Sequence, residues 1–296
     1  MHADQLIHEN QFHVEYRMKK ETWDKLYDVL NQKLQRKHSY SRSRRPVTVV
    51  MIMAAGIRFL AGGPIRDIRH VIGLSRAEAY KCVRDFIVAV NSSTELDIKL
   101  PRTAREMDSI RAGFAIRSSN SLMQGCLGAV DGFFVAMSAP DKSDCINVRA
   151  YYSGHYESYG LHCQALCDSK LRFLYFGVVA PGKTNDNAAY PLCTDLVNFV
   201  DNLPSGLYIV GDAAYTCTDR LLTPFVGPQK QNVCNDAFNF HLSQMRIRIE
   251  MSFGRLVRKF GILKHKLNGK LSTRSAIIMD VLDFIISLLI VRSLTQ

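Results

Sequence analysis

The chain has no CxxC pair among its eight cysteines, no internal repeat, no low-complexity tract and a single tryptophan. Without CxxC spacing, zinc-ribbon and thiol–disulfide motifs are excluded. Without repeats, a solenoid or propeller is excluded. Met1 to Asn10 has no apolar core, so no secretory leader is expected and the cysteines are expected to be reduced thiols. The most apolar stretch, Ala276 to Val291, contains Asp280 and Asp283 and is too short to span a bilayer. It is expected to be a buried helix entered through Ser272 and Thr273. The closest approach to a Cys/His metal pattern is His155, His162, Cys163 and Cys167. Cys163 and Cys167 share a face of an expected strand, and buried thiols are favoured there over structural zinc.

What the chain does have is positive charge. Its 296 residues carry a formal net charge of +11, with 47% hydrophobic and 22% charged residues, which excludes a disordered chain. The length suits one catalytic domain plus a smaller helical module. A surplus of this size favours polyanions, because phosphate contacts by Lys and Arg release counterions, although ordinary surfaces also carry such excess. The distribution is more informative. Residues 1–120 hold 21 Lys and Arg against 13 Asp and Glu, residues 121–240 hold 7 against 11, and residues 241–296 hold 10 against 3. An acidic middle between basic flanks suits a metal site clamped by surfaces that hold a phosphate backbone.

Trp23, Leu26, Tyr27, Leu30 and Leu34 predict a helix over 20–37. His38 to Arg45 reads as a linker, with Arg42, Arg44 and Arg45 open to nuclear import, DNA contact or plain solvation. Val47 to Leu60 is expected to be helical. Ile65 to Val71, a turn at Gly73, and a helix from Arg76 to Val90 capped by Ser75 give a helix-turn-helix outline over 65–90. Arg76, Lys81 and Arg84 on its second helix are candidate DNA contacts, although Gly-joined helix pairs are also common in plain bundles. From residue 125, Leu127–Met137, Tyr159–Cys167 and Arg172–Val179 predict three strands, with a turn at Asp168–Lys170. A helix is expected from Asp186 to about Val200, a fourth strand over Leu207–Val210, and a long helix beginning near Phe240. The order is that of an α/β layer fold with part of its sheet antiparallel.

Three acidic residues stand out by position. Asp131 lies inside the first strand, Asp212 closes the fourth, and Glu250 is the only acidic residue between Asp236 and Asp280. A carboxylate buried among apolar strand residues needs a partner or a metal. Strand ends feeding loops are where α/β folds place their sites. Each also has a plainer explanation: an Asp after Gly can shape a turn, and Glu250 can pair with Arg246 one helical turn back. Together, carboxylates on two strands and a helix can converge on Mg²⁺, which prefers oxygen ligands.

The ordered stretches Gly128-Ala129-Val130-Asp131-Gly132, Pro181-Gly182-Lys183-Thr184-Asn185-Asp186-Asn187, Gly211-Asp212-Ala213-Ala214-Tyr215, Leu222-Thr223-Pro224-Phe225 and Asn239-Phe240-His241 through Arg246 to Glu250, followed by Phe253-Gly254-Arg255-Leu256, resemble the PIF/Harbinger group of DDE transposases and the nucleases derived from them. The resemblance implies a ribonuclease H-like catalytic core, a mixed sheet flanked by helices, over 125–296. A helical module over 1–110 would precede it. It also implies that Asp131, Asp212 and Glu250 form a catalytic acidic triad and, with Asp186, hold two Mg²⁺ or Mn²⁺ ions. Asn185, Asp186 and Asn187 could equally cap a helix. The chain departs from the family where Asn185-Asp186-Asn187 replaces His-Asp-Ser and where Phe133 replaces the frequent Thr. Arg246, Arg248 and Arg255 are candidate DNA contacts beside Glu250. The implied activity is metal-dependent hydrolysis of DNA phosphodiesters, with strand transfer left open, in the nucleus. The implied partners are DNA and a Myb-like accessory protein, with self-association open. The rival expectation is a domesticated descendant that binds DNA or protein without cutting.

Overall fold

The computed structural model describes residues 11–35, 46–143 and 145–268. The basic stretch at Arg42, Arg44 and Arg45 and the expected helix over Ala276–Val291 lie outside the described residues. Two compact units are formed. One takes the described residues up to Asp97 with Leu256–His265; the other takes Ile98–Arg255 with the described part of 266–271.

The first unit contains α1 (Phe12–Tyr16), α2 (Lys20–Leu34), α3 (Val49–Leu60), α4 (Ile65–Ile72) and α5 (Arg76–Asn91). In α2 the three- and four-residue spacing of Trp23, Leu26, Leu30 and Leu34 makes one apolar stripe, and all four are buried. Ile52, Met53 and Ile57 of α3 and Phe86 of α5 complete this core. Thr48 caps α3 by accepting from Met51 N at 3.3 Å, and Ser75 caps α5 by accepting from Glu78 N at 3.1 Å. Between α4 and α5 the chain reverses at Gly73, whose φ of 76° is the left-handed conformation that closes a helix. The helix, glycine turn and capped helix expected over 65–90 are all present.

The second unit opens with α6 (Ala104–Ala115), held by a reciprocal capping box between Thr103 and Glu106. Its sheet comprises β1 (Cys126–Ala136), β2 (Tyr152–Ser153), β3 (Ser158–Cys167), β4 (Phe173–Pro181), β5 (Tyr208–Val210) and β6 (Leu221–Leu222). β1, β3 and β4 form an antiparallel meander, while β5 and β6 continue the other side of β1 in parallel. β3 is buried along almost its whole length, paired with β1 on one side and with β2 and β4 on the other. The turn before β4 is fixed by the buried Asp168, whose carboxylate accepts from Lys170 N, Arg172 N and Arg172 Nε.

The expected helix from Asp186 to Val200 is instead broken. α7 (Asp186–Ala189) passes into a 3₁₀ turn at Tyr190–Leu192 before α8 (Thr194–Asp201). Pro191, which has no N–H for the ladder, sits at the break. β6 is a two-residue strand too short for any periodicity to reveal. α9 runs Val233–Lys259, starting seven residues before the expected Phe240. Cys82, Cys126, Cys163, Cys167 and Cys193 are buried free thiols. Burial pushes the Cys126 thiol up to about 12. Among the described residues no helix is long and apolar enough to cross a membrane.

Candidate active site

The register of the parallel pair brings the first two carboxylates together. Ala129 stands opposite Val210, and β5 ends there. Two residues further along each chain are Asp131 and Asp212, so they lie side by side where one edge of β1 opens. Asp212 turns its own loop by accepting from Ala214 N at 2.9 Å. Asp131 accepts from Gly132 N at 2.8 Å. Burial drives the Asp131 carboxyl up to about 7; Gly132 N–H opposes this, Asp212 and Asp186 add to it, and Arg246 opposes it.

Alternation along β1 puts Asp131 and Phe133 on one face and Gly132 and Phe134 on the other. Phe133 stacks on Phe253 of α9, with centroids 4.8 Å apart and planes at 29°. Phe173 and Phe176 of β4 join the same cluster. α9 is thus docked on the Asp131 face, and Glu250 lies one turn before Phe253. Glu250 is half-exposed and accepts from Arg246 Nη2 at 2.7 Å. The i,i+4 pairing weighed from sequence is present, and the same Arg246 acts on Asp131.

Asp186 arrives from the opposite face, over Gly132. Its Oδ1 accepts from Gln164 Nε2 at 2.9 Å and lies 3.2 Å from His162 Nε2. Tyr215, three residues past Asp212, donates to Gln164 Oε1 at 2.7 Å. Burial pushes the Asp186 carboxyl up, but the hydrogen bonds from His162 and Gln164 outweigh it and its net direction is down. Asn185 caps α7 by accepting from Ala188 N, and Asn187 accepts from Thr216 Oγ1 at 2.9 Å, tying α7 to the loop after Asp212. The two asparagines that depart from the family pattern thus both have structural work, and Asp186 between them is free of the capping role.

Reading the sequence missed Gln164, and it gave His162 and Tyr215, which it does single out, no role beside Asp186. The available signal was two polar residues, alternate in sequence, inside an otherwise apolar strand. It also missed Tyr156, which stacks on Phe134 at 4.3 Å and 11° and feels the charges of Asp186 and Asp131.

The donor set is all oxygen, which suits a hard divalent cation. Among the described residues no three such side chains are gathered into a metal cluster. Glu250 is paired with Arg246, Asp186 with His162 and Gln164, and burial pushes the Asp131 carboxyl up.

The other basic candidates are dispersed. On α9, Arg255 is exposed, with Nη1 3.4 Å from Lys170 O. Arg248 is half-buried; burial and the charge of Arg117 lower its pKa, and its Nε has no hydrogen-bond partner among the described residues. Arg76, Lys81 and Arg84 are exposed on α5 of the first unit, with Arg76 6.0 Å above the Tyr80 ring.

The family model described as DDE superfamily endonuclease matches residues 130–288, just over half of the chain. The chain belongs to the DDE superfamily endonuclease family. This endonuclease-family chain is also similar to proteins named "Putative nuclease HARBI1". The rat protein is 25% identical over 69% of this chain and 56% of its own length. The Xenopus laevis protein is 26% identical over 70% and 56%. The human protein is 24% identical over 80% and 65%. The chain therefore spans a little over half the length of the first two relatives and under two thirds of the human one. No solved structure matches it.

Proposed function

We propose that this DDE-family chain is a divalent-metal-dependent DNA endonuclease with a ribonuclease H-like core, acting on DNA in the nucleus. The observation that carries the reading is the placement of Asp131, inside β1, beside Asp212, just past the end of the parallel β5, beneath the helix that bears Glu250. The strand order supports the core assignment: an antiparallel meander, β4-β3-β1, continued by two strands parallel to β1.

Asp131, Asp212 and Glu250, with Asp186, would hold Mg²⁺ or Mn²⁺. Such ions, when bound, supply an activated water and neutralise charge at the phosphodiester. The protein's own part is positioning. Asp131 is presented by the strand at the sheet's centre. Phe133 and Phe253 fix the helix of Glu250. Gln164, oriented by Tyr215, and His162 hold Asp186 in its ionised form, ready for a cation. Arg246 partners Glu250 and acts on Asp131, so it would offer a phosphate contact beside them. Hydrolysis leaves a 3′-hydroxyl, which strand transfer would use as its nucleophile.

One observation favours the second reading, a binder that does not cut: each carboxylate is already engaged within the protein. The test is plasmid nicking with Mg²⁺ or Mn²⁺ by wild type and by Asp131→Ala, Asp212→Ala and Glu250→Ala. Nicking lost in all three supports the nuclease. No nicking by wild type, with DNA bound equally by all four proteins and a Myb-like accessory protein added back, supports the binder.

A further inference from the structure

A cavity of about 240 Å³ in the second unit is lined by Asn147, Arg149, Ala150, Lys183 and Thr184. Two segments form it. Asn147–Ala150 precede β2, and Lys183–Thr184 belong to the short loop that ends in Asp186. The segments are pinned together by Lys183 N donating to Ala150 O at 3.0 Å.

The lining is rich in donors. Arg149 and Lys183 are both exposed, and neither is in an ion pair among the described residues. Asn147 Oδ1 already accepts from Ala150 N, so its amide NH₂ remains to donate. Thr184 adds a hydroxyl, and no carboxylate lines the cavity. Only seven Lys and Arg occur in residues 121–240, against eleven Asp and Glu. One of the seven, Arg172, is held by Asp168. Two of the remaining six share this cavity.

We infer that the cavity is a subsite for a backbone phosphate of the DNA strand, next to the acidic centre. This rests on the nuclease reading for its substrate. A strand entering an acidic site is repelled there, so its neighbouring phosphates need cations close by. The loop that carries Lys183 and Thr184 into the cavity delivers Asp186 to the carboxylates two residues later. Holding a phosphate at one end of so short a loop sets the register of the strand at the other.

The experiment measures binding of a fluorescein-labelled DNA duplex by the full chain across a salt series. Wild type is compared with the double variant Arg149→Ala/Lys183→Ala. A charge-matched control, Lys142→Ala/Lys230→Ala, removes two exposed lysines of the same acidic stretch. Losing two phosphate contacts flattens the slope of log K against log salt by about 1.8. The control slope stays at the wild-type value, and Arg149→Lys/Lys183→Arg restores it. Cleavage is followed in parallel with Mn²⁺. A flattened slope without cleavage by any of the proteins, with the Myb-like accessory protein added back, keeps the subsite and removes the nuclease reading. An unchanged slope in the double variant, beside cleavage by wild type, overturns the subsite and leaves the nuclease. A control that falls as far as the double variant, or a wild type that binds no duplex, also overturns the subsite.

Discussion

Asp186 approaches the backbone of Gly132 so closely that a β-carbon on the glycine would stand 1.9 Å from its Oδ1. The missing side chain is what admits a carboxylate from one face of the sheet to the neighbourhood of Asp131 on the other. Gly132→Ala must therefore push Asp186 away from Gln164 and His162. Overpacking of this kind costs about 1–3 kcal/mol. Displacing a group at the chemical centre by an ångström costs about a hundredfold in rate. Urea melts and nicking assays on Gly132→Ala check both, and wild-type values in both would defeat the argument.

Asp131 gives the site a pH signature in the absence of metal. Its unfolded carboxyl ionises near the ordinary value of 3.8, whereas burial pushes the folded one up to about 7. Between those values the folded chain keeps a proton that the unfolded chain has released. Stability therefore falls as pH rises across this window, with the full loss present above about pH 7. Allowing for partial exposure, the loss is about 2 kcal/mol. Asp131→Asn removes the ionisation. It is expected to be more stable than wild type at about pH 8 and close to it at about pH 4. Denaturant titrations at both values, in chelator, decide this; a wild-type pH profile in Asp131→Asn would refute it.

Phe133 stands where the transposase resemblance leads one to expect Thr, and its ring stacks on Phe253. Removing the ring unseats the helix that carries Glu250. Phe133→Ala is expected to cost about 2 kcal/mol, below a full core value because the ring is half-buried. The effect on nicking should exceed what that destabilisation explains at a temperature where both proteins are folded. Phe253→Ala should resemble it, and the double variant should cost less than the sum, because the two rings share one contact. Strict additivity in the urea midpoints would show that the stack does not couple strand to helix.

How much of this was legible beforehand follows the physics of each feature. The apolar stripe of α2, the Ser75 cap and the Gly73 turn are local signals, and the sequence carried them. The three long strands were legible from their apolar runs. Asp131, Asp212 and Glu250 stood out because each is a charge out of place. Their convergence was expected, but the register that sets Asp131 beside Asp212 was not readable, because it depends on parallel pairing between residues 81 apart. Gln164 and His162 were hidden because a polar residue in a buried strand announces that it needs a partner, not which partner. Pro191 signals the break, but the helical spacing of the apolar residues around it masks that signal.

Arg246 faces two acidic groups at once. It donates to Glu250 at 2.7 Å and pulls the Asp131 carboxyl down against burial and its acidic neighbours. A half-exposed i,i+4 pair is worth under about 1 kcal/mol, so losing the arginine should barely change global stability. Its effect on Asp131 is separate and has a sign. Arg246→Gln removes a charge that favours the ionised carboxylate, so Asp131 should hold its proton to higher pH. The metal-free stability of Arg246→Gln should then start to fall at the same pH as wild type but go on falling to higher pH, with a larger total loss. In Asp131→Asn/Arg246→Gln that fall should be absent, which assigns the shift to Asp131 and not to Glu250. A fall that ends at the same pH as in wild type and is no deeper would mean that the arginine serves Glu250 alone, and the link between helix and strand would then rest on the Phe133–Phe253 stack.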